Sequence, residues 1–357
     1  MAIRDERQVE FANVWLDGDR KNILLLAPRF GKCRVGVYIL HDYPLEVSIL
    51  IAYPDKKIKA SWENEFSIMN FTPNVTFVTH LSLYKYQDTK FDLVILDEIH
   101  LLSPAQIEVC KTIVENNPIL GFTGTLSQET EKSLYNKLRL PVLAEYTIEQ
   151  AVEEKIVSDY EITVVQVPLD TYHKQRIKTR FITEKQQFNS LTWAISALEE
   201  KKKSSMFMRL KRMRIIQNSL SKLNKTKRIL MDHPNDRMLV FCGTTAIADS
   251  LDIPSYHSKS SEKEIFNDFA EGRGTHLAVV KIGNTGVTYV PLDRVIINYF
   301  SSSPEDLTQK VMRCMSFEFG NPDKKAYITI ISSNEDVEIK WLQQSLSQLD
   351  STKIKYI

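Results

Sequence analysis

No apolar run in the 357-residue chain reaches the ~18 residues that a membrane-crossing helix needs. The opening stretch, Met-Ala-Ile-Arg-Asp-Glu-Arg, carries too much charge for a secretory signal. Cysteine is sparse: Cys33, Cys110, Cys242 and Cys314 form no Cys-x-x-Cys and no Cys/His pairing. That argues against a structural zinc site and for a reducing compartment, so a cytoplasmic protein without membrane contact is expected. The seven histidines have no metal-ligand spacing. Solenoid-period repeats and low-complexity tracts are also absent, which argues against a repeat array.

What is present is an ordinary globular composition, 43% hydrophobic and 25% charged, over a length sufficient for two domains. The net charge of +1 conceals a strong imbalance. Residues 171–230 hold 16 Lys and Arg against three Glu and no Asp, a local +13, so the remainder sums to −12. A basic middle points to an anionic partner or, more plainly, to a solvated helical face. Residues 171–228 contain neither Gly nor Pro and read as helical. On either side, short apolar runs alternate with helical segments. Strands are expected over 22–27, 47–53, 74–79, 91–96 and 119–122 in the first half. In the second they are expected over 161–167, 237–242, 276–281, 294–299 and 326–331. Such alternation predicts parallel sheets with helices on both faces.

The chain is organised around Phe91 to His100. Leu93 to Leu96 reads as a strand buried on both faces, and it ends in Asp97 and Glu98. Acids at the carboxyl end of such a strand stand where open α/β sheets place ligands. One can hold Mg²⁺ and the other can polarise a water. The same pair would also suit a helix N-terminus, because Ser103-Pro104 starts a helix soon after. Earlier, Arg29-Phe30-Gly31-Lys32-Cys33 follows a strand and opens a helix, the setting of a phosphate-binding loop. Leu26 takes the first glycine's place, and Cys33 takes that of the metal-binding hydroxyl. A thiol is a poor ligand for a hard cation, so a metal at Cys33 and Asp97 would lean on Asp97, phosphate oxygens and water.

With these stretches in order, the chain resembles a superfamily 2 helicase or translocase of phage-type, branch-migration-like kind. Arg29 to Cys33 resembles the family's first motif, and Asp97-Glu98-Ile99-His100, a DEIH box, its second. Thr123-Gly124-Thr125 resembles its third, which couples the nucleotide site to the nucleic-acid path. Gln8 sits where these proteins read adenine. Trp62-Glu63-Asn64-Glu65 resembles their Trp-x-x-Glu, and Thr79 holds a backbone-contacting position. Leu239 to Cys242 resembles motif IV and Lys281 to Thr288, with Gly286, motif V. Gln309 to Ser316 stands in the place of motif VI, with Gln309 and Arg313 matching, Met312 for the glycine and Ser316 for the last arginine.

The resemblance implies an α/β fold of two tandem RecA-like P-loop domains. The first spans residues 1–150, a strand plus basic helical connector 151–228, and the second 229–357. It implies ATP and Mg²⁺ bound between them, with Gln8, Arg29, Phe30, Gly31, Lys32, Cys33 and Gly286 at the nucleotide. Asp97 then organises the metal, Glu98 activates water, and Gln309 and Arg313 complete catalysis. His100, Thr123, Gly124 and Thr125 couple hydrolysis to movement along nucleic acid, DNA rather than RNA. Thr79, Lys201, Lys202, Lys203, Arg209, Lys211, Arg212 and Arg214 are the expected contacts with it, and a replication or recombination protein is a second expected partner. Two other readings stay open: a helicase-derived binding module with little ATPase activity, and a P-loop ATPase that remodels protein complexes.

Overall fold

The computed structural model describes the whole chain except residues 1, 178–179, 261–263, 281–289, 317–320 and 322. Gly286, and with it the fifth motif, therefore lies outside the described residues. The chain divides into two compact units, the first over Met1–Ser158 and the second beginning at Asp159.

The first unit runs α1 (Ala2–Leu16), β1 (Lys21–Leu26), α2 (Lys32–His41), β2 (Ile49–Tyr53), α3 (Lys56–Ile68), β3 (Val75–Thr79), β4 (Leu93–Asp97), α4 (Pro104–Asn116), β5 (Ile119–Thr123), α5 (Gln128–Leu138), β6 (Val142–Tyr146) and α6 (Ile148–Glu153). The six strands form one sheet in the order β3-β2-β4-β5-β1-β6, every pairing parallel. The unbroken apolar runs are the central strands: every residue of β2, β4 and β5 is buried, as helices on both faces require. Ser103 and Gln106 form a reciprocal capping box, and Pro104 takes the first turn, so α4 starts where the sequence signals it.

The second unit opens with β7 (Asp159–Val167). A two-stranded antiparallel ribbon follows, β8 (Gln175–Ile177) and β9 (Arg180–Ile182), then α7 (Glu184–Glu200), α8 (Met206–Gln217) and α9 (Leu220–Asp232). It continues β10 (Met238–Cys242), α10 (Thr245–Asp249), β11 (Ser255–Tyr256), α11 (Glu264–Ala270), β12 (His276–Val280), β13 (Arg294–Ile297), α12 (Pro304–Val311), β14 (Lys325–Ser333), α13 (Asp336–Ser345) and β15 (Ile354–Tyr356). Its sheet has the order β11-β12-β10-β13-β14-β7-β15, again all parallel. β7 pairs along its full length with β14, from Asp159 against Lys325 to Val167 against Ser333.

Three details differ from the sequence reading, the first being the ribbon of β8 and β9 inside the stretch 171–228 that reads as helical. The helix expected over Pro304 to Phe317 ends at Val311, and Arg313 lies in the turn beyond. Every residue from Val311 to Ser316 is buried, and a surface helix cannot hide all its faces. The strand at 326–331 is not the last one, because β15 adds a further edge beside β7.

Candidate active site

The strand order places the carboxyl ends of β4, β5 and β1 side by side, so three loops converge there. The loop after β1 turns through two left-handed residues, Arg29 (φ 72°) and Gly31 (φ 102°). Gly31 is the residue before α2, and its lack of a side chain is required twice. A Cβ there would lie 2.4 Å from Gln8 Nε2, and the dihedral itself disfavours any L side chain. The loop is held from α1. Gln8 Nε2 donates to the Phe30 carbonyl at 2.6 Å, Arg4 Nε to the same oxygen at 3.0 Å, and an Arg4 terminal nitrogen to the Arg29 carbonyl at 2.7 Å. Gln8 Oε1 is buried without a hydrogen-bond partner. The Phe30 ring is fully buried and packs at 4.5 Å from Tyr146 and 5.7 Å from Phe11. Phe30 thus contributes a carbonyl and an anchor rather than an open stacking face.

From the end of β4 come Asp97 and Glu98. Glu98 is left-handed (φ 51°, ψ 49°), an uncommon conformation for a side chain of its size. This twist is how two adjacent acids at a strand end both reach the same side, which strand alternation alone forbids. Glu98 Oε1 is ion-paired to Lys32 Nζ. Its Oε2 has no hydrogen-bond partner and lies 3.4 Å from His100 Nδ1. Asp97 Oδ2 accepts the Trp62 indole N–H at 2.9 Å, while Oδ1 is buried with no hydrogen-bond partner. His80 closes the rear of the strand end, its Nε2 3.0 Å from the Asp97 carbonyl.

These contacts set the protonation states. Burial pushes the Asp97 carboxyl up to about 6 against the pull of Lys32. Burial also pushes Glu98 up, but Lys32 and His100 outweigh it and leave the carboxyl below its ordinary value. For Lys32 burial works against the ammonium, and the carboxylates of Glu98 and Asp97 more than restore it. Burial drives the Cys33 thiol well above its ordinary value, so it stays protonated. Burial lowers His80 to about 4.

The third loop leaves β5. Thr123 Oγ1 lies 2.7 Å from His100 Nδ1 and donates to the Thr125 carbonyl at 2.7 Å. Gly124 lies against the first loop, where an added Cβ would meet Pro28 Cγ at 2.9 Å. Gln8, Arg29 to Cys33, Asp97, Glu98, His100 and Thr123 to Thr125 are therefore brought together in one unit. Thr79 ends β3 on the far side of β2 from this cluster and touches Ser82 at 3.3 Å. Gln309 on α12 is half-buried, and Arg313, in the following turn, is buried; both belong to the second unit. Lys201, Lys202 and Lys203 are exposed between α7 and α8. On α8, Lys211 and Arg214 are exposed, Arg209 pairs with Glu199 at 2.6 Å, and Arg212 lies over the Phe188 ring at 5.6 Å.

Sequence reasoning missed Arg4, His80 and the task of Trp62. For Trp62 a signal existed, since a Trp on a buried helix face needs an acceptor for its N–H. The packing that seats it was not legible: a Cβ on Gly36 would fall 2.3 Å from Trp62 Cη2, so α2 carries glycine where the indole crosses it. Glu65, three residues on, pairs with Arg34 of α2.

A metal ion is implied by the resemblance. Among the described residues no group of three or more His, Cys, Asp or Glu forms a protein-only cage. The donor set present, one carboxylate oxygen left open at Asp97, fits a cation such as Mg²⁺ that keeps most of its waters and shares substrate phosphates. A protonated thiol adds little to it.

The chain is similar to several known proteins. Residues 221–318 match the helicase conserved C-terminal domain. The chain is 22% identical over 316 residues to the DNA 3'-5' translocase XPB2 of Sulfurisphaera tokodaii, covering 78% of this chain and 71% of that protein. Among solved structures it is similar to Dbp5 of S. cerevisiae bound to RNA and ADP BeF3, with a TM-score of 0.59 at 11% identity over 98% of this chain and 89% of that one. A point variant of the same protein gives a TM-score of 0.61 at 12% identity, with 98% of this chain and 89% of that one covered. The structural neighbours establish the fold, α/β with parallel sheets in two RecA-like domains. The domain match covers the second unit only, and the translocase relative is similar at low identity.

Proposed function

We propose that the protein is an ATP-hydrolysing motor of superfamily 2 that moves on nucleic acid, DNA rather than RNA, as a translocase or branch-migration-like helicase. The observation that carries this reading is the convergence of Lys32, Asp97 and Glu98 below a glycine loop whose carbonyls Arg4 and Gln8 hold in place. In this state Lys32 and Glu98 neutralise each other. An incoming triphosphate competes for Lys32, and the exchange releases Glu98. Released from Lys32, the buried Glu98 carboxylate loses the main partner that held it below its ordinary value, and its Oε1 is free to orient a water and accept its proton. Mg²⁺, when bound, would neutralise phosphate charge, with Asp97 Oδ1 as its protein contact. Trp62 fixes the other oxygen, so the carboxylate is oriented before the metal arrives. Thr123 and His100 link the acid loop to the third loop. The roles of Gln309 and Arg313 rest on the resemblance alone.

The test is phosphate release by the purified chain with and without single-stranded DNA. Stimulated release that Glu98→Gln abolishes supports the motor. Salt-sensitive DNA binding without release supports the second reading, a helicase-derived binding module; the protonated Cys33 in the hydroxyl's place and Ser316 in the arginine's favour slow turnover. Neither release nor binding would sink both.

A further inference from the structure

Helix α8 has an outward side whose chemistry is unusual for a solvated helix. Phe207, Leu210, Lys211 and Arg214 follow the spacing i, i+3, i+4, i+7 and so share one face. All four are exposed, Phe207 by 63% and Leu210 by 42%. The packing lies off this face: Ile215 and Ile216 are buried, and Arg212 reaches back to Thr192 Oγ1 at 3.3 Å. The Lys211 ammonium stands 4.3 Å from the centroid of the exposed ring. Among the described residues no carboxylate pairs with Lys211 or Arg214, whereas Arg209 is taken by Glu199. From Lys201 to Met231 the sequence holds eleven Lys and Arg and no Asp or Glu.

We infer that this face of α8 grips unpaired bases of a nucleic-acid strand, with Phe207 as the stacking surface and Lys211 and Arg214 on the flanking phosphates. An apolar protein partner would cover Phe207 and Leu210 only by stripping water from two cations it cannot neutralise. A nucleic acid meets both demands at once, because its phosphates neutralise the cations and its bases present π-faces. Duplex hides those π-faces in its own stack, so the ring finds a partner only where bases are unpaired. This rests on the nucleic-acid reading above and adds to it the strandedness of the substrate and a residue, Phe207, that charge alone does not single out.

The experiment measures binding of the full chain to labelled oligo(dT), oligo(rU) and a blunt duplex of equal length by fluorescence anisotropy across a salt series. Phe207→Ala should weaken oligo(dT) or oligo(rU) binding about tenfold, the scale of one lost base stack, and leave duplex affinity and the salt slope unchanged. Which of the two single strands responds identifies its sugar. The double variant Lys211→Gln/Arg214→Gln should lower the single-strand salt slope by about 1.4, roughly 0.7 for each phosphate contact. Because Phe207 is exposed, the thermal unfolding midpoint should not move, which separates lost contact from lost fold. Equal losses on single strand and duplex, or no loss on either, would overturn the assignment while leaving the motor reading intact. Absence of salt-sensitive binding to every oligonucleotide by the unaltered chain would overturn the motor reading itself, and this inference with it.

Discussion

Each unit carries a lysine–glutamate ion pair in its interior, and the two are surrounded very differently. In the second unit Lys222 and Glu338 are 1% and 0% exposed at their side chains. The second carboxylate oxygen accepts the Ser333 N–H at 2.7 Å, and the ammonium lies 5.6 Å from the Phe300 ring. In the first unit Lys32 and Glu98 are 14% and 16% exposed. There Glu98 Oε2 and the neighbouring Asp97 Oδ1 lack hydrogen-bond partners, and Glu98 sits in a left-handed conformation. A buried pair in which both carboxylate oxygens are hydrogen-bonded is a structural joint. A pair left unsatisfied on a twisted backbone is held ready for something else, because low dielectric makes each open atom costly until a ligand fills it.

The sharpest way to break this contrast is to remove the carboxylate charge in each pair. Glu98→Gln should reduce phosphate release by two or more orders of magnitude, the scale of a lost general base, while the denaturation midpoint barely moves. Glu338→Ala should do the reverse. It leaves a fully buried ammonium unpaired and should cost about 3–5 kcal/mol in urea unfolding. If the two variants exchanged these effects, the assignment of roles to the two pairs would be wrong. Replacing both partners of the structural pair with apolar residues, Lys222→Met with Glu338→Leu, should recover most of that loss.

A smaller effect is expected from Trp62→Phe, which keeps an aromatic ring but loses the five-membered half of the indole and with it the N–H that fixes Asp97. Stability should fall by roughly 1–3 kcal/mol, and the Mg²⁺ concentration at half-maximal nucleotide binding should rise, followed by calorimetry. An unchanged Mg²⁺ requirement would make Trp62 a packing residue only. The smallest effect concerns acid. An unfolded His80 takes up a proton below its ordinary 6.5, but the native one waits until about 4, so its contribution to stability is lost as pH falls through that window. Asp97, raised to about 6, runs the opposite way: the native carboxyl is protonated before the unfolded one, and stability is gained on the same descent. The two nearly offset each other. His80→Gln removes one side, so between about pH 7 and about pH 5 the variant should gain about 2 kcal/mol relative to the unaltered chain.

The first unit was legible because its central strands are apolar throughout and its loops carry punctuating residues. Ser103-Pro104, Gly31-Lys32 and the acids after Leu96 each mark a boundary that local chemistry fixes. The grouping of three loops followed from strand alternation with helices, a rule about topology rather than about any one residue. What stayed hidden depends on contacts distant in sequence. Arg4 reads as surface charge until α1 packs beside the loop. The indole of Trp62 meets Asp97 across 35 residues. His80 looks like any polar residue after a strand. In the second unit the pairing of β7 with β14 spans so much chain that no window of sequence reports it.

That same pairing governs how the protein is made. β7 sits between β14 and β15, so three parallel strands of one sheet close only when residues 325–356 are available. The first unit has all six of its strands by Tyr146 and can collapse while the ribosome is still translating. β7 must then wait with unpaired edges through about 160 residues of synthesis, on the order of ten to thirty seconds at ordinary elongation rates. Over that interval a nascent strand with buried-type side chains at Tyr160, Ile162, Val164 and Val165 is the segment that a chaperone, or a neighbouring nascent chain, would meet first.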